Sequence, residues 1–324
     1  MKIALDAMGT ENSPAAEIEG AVAAVKEHPA DIVLVGKKDL IKAELAKHHC
    51  DFPVVEASQV IVMTDHPSEV MRDKRDSSIS VGMRMLKNKE VDAFVSAGNT
   101  GAVTTAATLI LGRIEGIERP ALSIFITLPS SPILLLDVGA NANCKPEYLV
   151  QFAQMGSVYM EKIFGVEKPR VGLLSNGEED IKGNSLVCEA HKMLKATSLN
   201  FVGNIEGNNL PLNKTDVVVT DGFTGNILIK VGEGIGEVIV QGVKQALTSR
   251  PYLKMVALIL KPALKNAFKS VDYSEYGGAP LLGVNGNVII GHGRSNAKAI
   301  SSALFIAKRA VEQDIVGAIR KGIT

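Results

Sequence analysis

VDAFVSAGNTGAVTTAATLIL, residues 91–111, reads as a buried strand that stops at Ser-Ala-Gly-Asn-Thr-Gly and passes into a helical stretch rich in alanine and threonine. The bend has no charge and no bulky side chain. Two more segments share this form: ILLLDVGANANCKPEYLV at 133–150 and DVVVTDGFTGNILIKVGEGIG at 216–236. A strand apolar on both faces that feeds a helix through a short polar turn is the unit of a parallel sheet covered on each side. The class expected is therefore α/β, a mostly parallel doubly wound sheet.

The same rhythm runs almost from end to end. Strands are expected at 3–6, 32–36, 93–96, 122–127, 133–137, 171–174, 201–203, 217–220 and 288–291. Helices are expected at 14–27, 80–88, 100–111, 146–164, 186–196, 226–247 and 295–321. No repeat, low-complexity tract or Pro/Ser linker interrupts them, so residues 1–324 read as a single α/β/α catalytic unit. LPSSP at 128–132 is too short for a domain linker and reads as a tight connection between adjacent strands.

Composition narrows the partners. Lys+Arg and Asp+Glu are both 35, so net charge gives no argument for nucleic acid, and an acidic partner must be met by a local patch. There is no tryptophan and only 4% aromatic residues, which argues against stacking platforms for single strands. Cys50, Cys144 and Cys188 are scattered, fitting reduced thiols in a cytosolic protein without a disulfide frame or zinc knuckle. MKIALDAMGTENSP at the start lacks the apolar core of a signal peptide, and no apolar run is long enough to span a bilayer.

One segment departs from the rhythm. SRPYLKMVALILKPALKNAFKSVDYSEYGG at 249–278 carries Arg250, Lys254, Lys261, Lys265 and Lys269 with no acid before Asp272. At ~100° per residue these cations share one arc, opposite Val256, Ile259, Leu260 and Ala263. Pro262 should break the helix, so a protruding amphipathic helical pair is expected over 249–276.

In open parallel sheets, ligands gather at the carboxyl ends of strands, where the next helix offers backbone N–H groups. Ser96, Asn99, Thr100 and Gly101 stand there and suit an oxyanion, although the same letters also make a helix cap with turn glycines. The segment is neither a Walker A loop nor a dinucleotide fingerprint. In the bend with Asp221, Gly222, Gly225 and Asn226, the Asp can orient a partner or accept a proton and the Asn can donate to a developing oxyanion. An Asp-Gly turn with an Asn cap is the plainer alternative. Asn141 belongs to the third bend, and three such bends in one sheet favour a composite pocket. Lys182 is the one cation of NGEEDIKGN at 176–184, a point charge for phosphate or part of a solvated loop whose charges pair locally. GGAPLLG at 277–283 reads as a small-residue loop lying against a ligand. His292 can serve as acid or base or be structural; the other histidines lack metal-ligand spacing, so no metal is expected.

Taken in order, DAMG at 6–9, SAGNTGA at 96–102, RPA at 119–121, LLDVGAN at 135–141, NGEEDIKGN at 176–184, GNIEG at 203–207, DVVVTDGFTGN at 216–226 and GGAPLLGVNG at 277–286 closely resemble the phosphate acyltransferase family of bacterial phospholipid synthesis (PlsX). The resemblance covers nearly the whole chain. One departure is Thr10-Glu11, where the family usually has Gly-Asp.

The resemblance implies a fold similar to isopropylmalate dehydrogenases and phosphotransacetylases, a homodimer, and conversion of acyl-[acyl carrier protein] and inorganic phosphate to acyl phosphate and free carrier. The enzyme would need no cofactor of its own, since the phosphopantetheine arm arrives on the carrier. Phosphate is already nucleophilic near neutral pH, so the site need only hold an anion beside a thioester and stabilise the oxyanion. Lys182 would then meet phosphate charge and Asn226 the oxyanion. Asp221 and His292 would orient partners, and Ser96, Asn99, Thr100, Gly101, Asn141, Gly222 and Gly225 would form the cradle. Lys254, Val256, Ile259, Leu260, Lys261 and Lys265 would dock on an anionic membrane surface, near a membrane-bound glycerol-3-phosphate acyltransferase. Arg72, Lys74 and Arg75, or Arg84, Lys87 and Lys89, would meet the acidic carrier. The implied location is cytoplasmic and peripherally membrane-associated. Rival readings are a phosphotransacetylase-like enzyme using acyl-coenzyme A and a non-enzymatic membrane-docked scaffold for lipid enzymes.

Overall fold

Short apolar runs at β1 (Lys2–Asp6), β2 (Asp31–Gly36), β3 (Val54–Glu56), β4 (Ala93–Ser96), β5 (Ala121–Ile126), β6 (Ile133–Leu136), β7 (Val171–Leu174), β8 (Phe201–Ile205), β9 (Val217–Val219), β10 (Ala279–Leu282) and β11 (Asn287–Ile290) pair into one sheet. Its order is β3-β2-β1-β4-β11-β10-β5-β6-β9-β7-β8. The structure is a computed structural model that describes residues 1–126, 132–212, 214–249, 260 and 277–323.

Pairing direction divides the sheet into two parallel wings. β3, β2, β1, β4 and β11 run one way. β6, β9, β7 and β8 are also mutually parallel. Between the wings, β11–β10, β10–β5 and β5–β6 are all antiparallel. Three reversals leave β6 opposed to β4, so the two wings have their carboxyl ends at opposite edges of the sheet.

Side-chain alternation supplies a core on each face. From β1, Ile3 and Leu5 enter one apolar cluster and Ala4 the other; from β4, Ala93 and Val95 divide from Phe94 in the same way. Helices α1 (Ala15–Glu27), α2 (Lys38–His48), α3 (Pro67–Asp73), α4 (Ser78–Lys87), α5 (Thr100–Ala106), α6 (Pro146–Phe164), α7 (Ser185–Lys195), α8 (Gly222–Thr248), α9 (Ala297–Glu312) and α10 (Ile315–Ile323) cover these faces. α5 runs on as one wider helical turn over Ala107–Leu111.

The mostly parallel α/β architecture agrees with the sequence. Several elements do not. Residues 279–282, read as a ligand-facing loop, form β10 in the antiparallel centre, where Pro280 to Leu282 are buried between β11 and β5. β3, α2 and α3 were absent from the sequence expectation because they are short or weakly periodic. The helix expected over 295–321 breaks at Gln313 and Asp314, the latter at φ 44°. α8 begins at Gly222, four residues before the expected start, because the Asp221 side chain caps it. LPSSP lies largely outside the described residues, yet Ile126 opposite Ile133 shows that it joins adjacent strands. The helical excursion over 249–276, with Lys254, Val256, Ile259, Lys261 and Lys265, lies outside the described residues; Leu260 is described and exposed.

Candidate active site

At the carboxyl end of β6, Asp137 is fully buried and its carboxylate gathers five N–H donors. Oδ1 accepts from the main chain of Leu122 at 3.0 Å, Gly139 at 3.2 Å and Ala140 at 3.1 Å. Oδ2 accepts from the Asn141 main chain at 2.7 Å and from its Nδ2 at 2.8 Å. Burial pushes the carboxyl's pKa upward against the pull of these donors. Every partner donates, so an acidic proton on Asp137 would find no acceptor among them.

The next bend interlocks with this one. β9 is the parallel neighbour of β6, and Gly222 N donates to Asn141 O at 2.8 Å. Asp221 Oδ1 accepts from Phe223 N at 3.0 Å and Thr224 N at 2.9 Å, and its Oδ2 accepts from Thr224 Oγ1 at 2.7 Å. Glycine is required twice: a Cβ on Gly222 would stand 2.8 Å from Asn141 O, and one on Gly225 would overlap the carbonyl of Asp137. The following residue, Asn226, brings its amide against Gly139.

These bonds correct one expectation. Every main-chain N–H from Val138 to Asn141 and from Gly222 to Gly225 already has an acceptor inside the protein. The two bends therefore do not cradle an anion with their amides. Each opens with an aspartate, and that carboxylate or the neighbouring backbone takes the donors.

β7 is the other neighbour of β9, so the loop carrying Lys182 lies on the same edge. Two of its three acids pair with lysines from elsewhere: Glu178 with Lys214 at 3.1 Å and Asp180 with Lys195 at 2.7 Å. Lys182 is exposed, its stem lies over Gly177, and no carboxylate pairs with it among the described residues. Asn204 on β8 holds the loop by donating to Glu179 O at 2.8 Å, while its Oδ1 faces His191 Nδ1 at 2.9 Å.

The first bend stands at the opposite edge. Ser96 is buried and donates to Asp6 Oδ2 at 2.7 Å. Asn99 caps α5 by accepting from Ala102 N at 3.0 Å and donates to Met63 O at 3.1 Å and Asp65 O at 3.2 Å. Thr100 starts α5, and Gly101 packs against Pro67. His292 Nδ1 accepts from Arg294 N at 3.1 Å, and Glu11 N donates to Gly293 O at 2.9 Å, which ties the 6–11 turn to the histidine loop. Beneath that turn, Glu17 is buried, accepts from Thr10 N at 2.7 Å, and has its pKa pushed up to about 7, chiefly by burial.

The structure thus brings together Asp221, Gly222, Gly225, Asn226 and Asn141, with Lys182 on the same edge of the sheet, and separately Ser96, Asn99, Thr100, Gly101 and His292. Four inter-strand steps from β4 to β6 amount to ~20 Å, so the three bends do not converge on one ion through their strand ends. Asp137, Asp6, Glu17 and Asn204 escaped the sequence reading. The only local signal for Asp137 was an acid directly after ILLL. Cys144 sits beside the bend, donating to Asn141 O at 3.5 Å, and burial foremost pushes its thiol to about 11. Such a thiol stays protonated near neutral pH and is a poor acyl acceptor. Among the described residues, no cluster of His, Cys, Asp and Glu is placed to hold a metal ion.

Comparison with known proteins places the chain. The profile of the family described as fatty acid synthesis protein matches residues 1–317. The chain belongs to this family. A phosphate acyltransferase from Dictyoglomus turgidum is 49% identical over 328 residues, covering 100% of this chain and 98% of that protein. Another from Desulfitobacterium hafniense (strain DSM 10664 / DCB-2) is 46% identical over 324 residues, covering 99% and 97%. As a member of the fatty acid synthesis protein family with such relatives, the protein is an acyltransferase. The fold is shared with a phosphotransacetylase from Streptococcus pyogenes, at TM-score 0.66 and 18% identity over 96% of this chain and 94% of that one. A 4-hydroxythreonine-4-phosphate dehydrogenase from Klebsiella pneumoniae also aligns, at TM-score 0.55 and 12% identity over 96% and 99%.

Proposed function

We propose that the protein transfers the acyl group of acyl-[acyl carrier protein] to inorganic phosphate, giving acyl phosphate and free carrier for phospholipid synthesis. The observation that carries this reading is Lys182, without an ion pair among the described residues, on the loop after β7, the strand next to the one that leads into Asn226. An ammonium without a carboxylate partner is available to a phosphate dianion, and the Asn226 amide can donate to a thioester oxyanion. A phosphate oxygen attacks the carbonyl carbon, the tetrahedral oxyanion collapses, the C–S bond breaks, and the carrier thiolate leaves and takes a proton from solvent. The high Cys144 pKa favours this direct route over an acyl-cysteine intermediate. Asp221 acts in this scheme by fixing the start of α8. His292 and the Ser96–Gly101 bend, at the far edge, are assigned to the extended thioester arm.

For the carrier, the second basic set is the better surface. Arg72 is paired with Asp73 at 2.8 Å and Lys74 with Asp65 at 2.5 Å, whereas Arg84 and Lys87 stand on the exposed side of α4 with Lys89 beyond them. A homodimer is supported by α8, where Phe223, Ile227, Val231, Ile235 and Ile239 recur every four residues and are all exposed. No described helix is long and apolar enough to cross a membrane. Docking of the 249–276 segment on an anionic cytoplasmic leaflet, near a membrane-bound glycerol-3-phosphate acyltransferase, rests on its sequence pattern.

The deciding assay follows thioester loss from a long-chain acyl carrier protein with and without phosphate. Acyl phosphate formed in step with released carrier is the expected result. Phosphate-independent behaviour would favour a scaffold, and faster turnover on acetyl-coenzyme A the phosphotransacetylase-like reading.

A further inference from the structure

We infer that Asp137 is a positioning residue for Asn226, holding it from behind the site without touching substrate; this rests on the reading above of Asn226 as the oxyanion donor. The Asp137 carboxylate is completely buried and takes four of its five hydrogen bonds from the next few residues, Gly139 N, Ala140 N, Asn141 N and Asn141 Nδ2, and the fifth from Leu122 N on β5. Those bonds close residues 137–141 into a rigid ring. The start of α8 seats on that ring through Gly222 N to Asn141 O, at 2.8 Å, and through two glycines whose missing Cβ atoms admit Asp137 and Asn141. Asn226 follows as the fifth residue of α8, with its amide against Gly139. The chain of contact therefore runs from carboxylate to ring to helix start to amide.

Substituting one carboxylate oxygen by an amide NH2 would set donor against donor, whichever oxygen it replaced. The ring would loosen and the Asn226 amide would lose its direction, at little cost to the encounter with either substrate. A site held within about half an ångström loses rate steeply when its support shifts.

The test is a double-mutant cycle in the full-length enzyme with Asp137→Asn and Asn226→Ala, assayed for acyl phosphate formation. Asp137→Asn alone should lower kcat by about a hundredfold while KM for phosphate and for the acyl thioester moves less than about threefold. Added to Asn226→Ala, it should cost less than about threefold more, because the group it positions is already gone. Equal losses on both backgrounds, or full activity in the single variant, would overturn the inference. Should Asp137→Asn fail to fold, Asn141→Ala, which deletes one of the five donors, carries the same cycle. An unmodified enzyme that makes no acyl phosphate would defeat the functional reading itself, a result separable from an active enzyme with additive losses.

Discussion

The main-chain N–H of Gly222 donates to the carbonyl of Asn141 at 2.8 Å, and this bond joins the first turn of α8 to the bend after β6. Two strand ends that are about 80 residues apart in sequence become one rigid platform. The candidate chemistry lies on and beside it.

Lys182 should matter for turnover and hardly for stability. It is exposed and lacks an ion pair among the described residues, so its removal disturbs little packing beyond the contact of its stem with Gly177. Lys182→Ala should reduce kcat/KM for phosphate by about a hundredfold, roughly 3 kcal/mol, with Tm unchanged. Steady-state assays across phosphate concentrations check this, and an unaltered phosphate dependence would remove the lysine from the site.

Gly225 has no space for a side chain, because a Cβ would overlap the Asp137 carbonyl. Gly225→Ala should destabilise the fold by about 2 kcal/mol and lower activity by moving Asn226. Gly232 makes the contrast: its Cβ position is open, and alanine there suits a helix, so Gly232→Ala should be neutral or slightly stabilising. Denaturant midpoints for the two variants, measured side by side, test the difference.

The stripe on α8 predicts its own experiment. Ile235 is the fourth of the five residues in the exposed row from Phe223 to Ile239. A charge there should oppose burial of the row between two copies. Ile235→Asp is expected to halve the mass seen by light scattering while the monomer keeps its helical signal. An unchanged mass would place the dimer contact elsewhere.

Glu17 sets a pH dependence of known sign. Its folded-state pKa is raised from 4.5 to about 7, chiefly by burial, so the folded protein holds the proton more tightly than the unfolded chain. The associated stability is complete below about pH 4.5 and lost as pH rises through about 7, up to roughly 3 kcal/mol. Glu17→Gln should therefore raise Tm at pH 8 relative to the parent and leave it nearly unchanged at pH 5. Thermal melts at the two pH values read this directly.

Much of the fold was legible because its signals are local. Runs such as ILLL and VVV next to helix-forming stretches announce buried parallel strands within a window of ten residues. The Lys182 loop and the Asp221–Asn226 bend were legible as polar interruptions after such runs. β10 was not, because Gly-Gly-Ala-Pro-Leu-Leu carries turn letters, and only pairing with β5 and β11 makes Ala279–Leu282 a strand. Asp137 was passed over for a related reason: its five donors come partly from Leu122, fifteen residues away.

By itself, the sequence determined the layered α/β class, the family and the set of polar bends, all of which follow from residue order over short spans. Tertiary structure alone decided which bends meet. Three antiparallel pairings in the middle of the sheet turn the β6–β9–β7 wing against the β1–β4–β11 wing, so Asn226 and Lys182 share an edge that Ser96 and His292 do not reach. It also decided that the bends' amides are already occupied by Asp137 and Asp221. Register between distant strands is set by packing over the whole core, and no short stretch of residues encodes it.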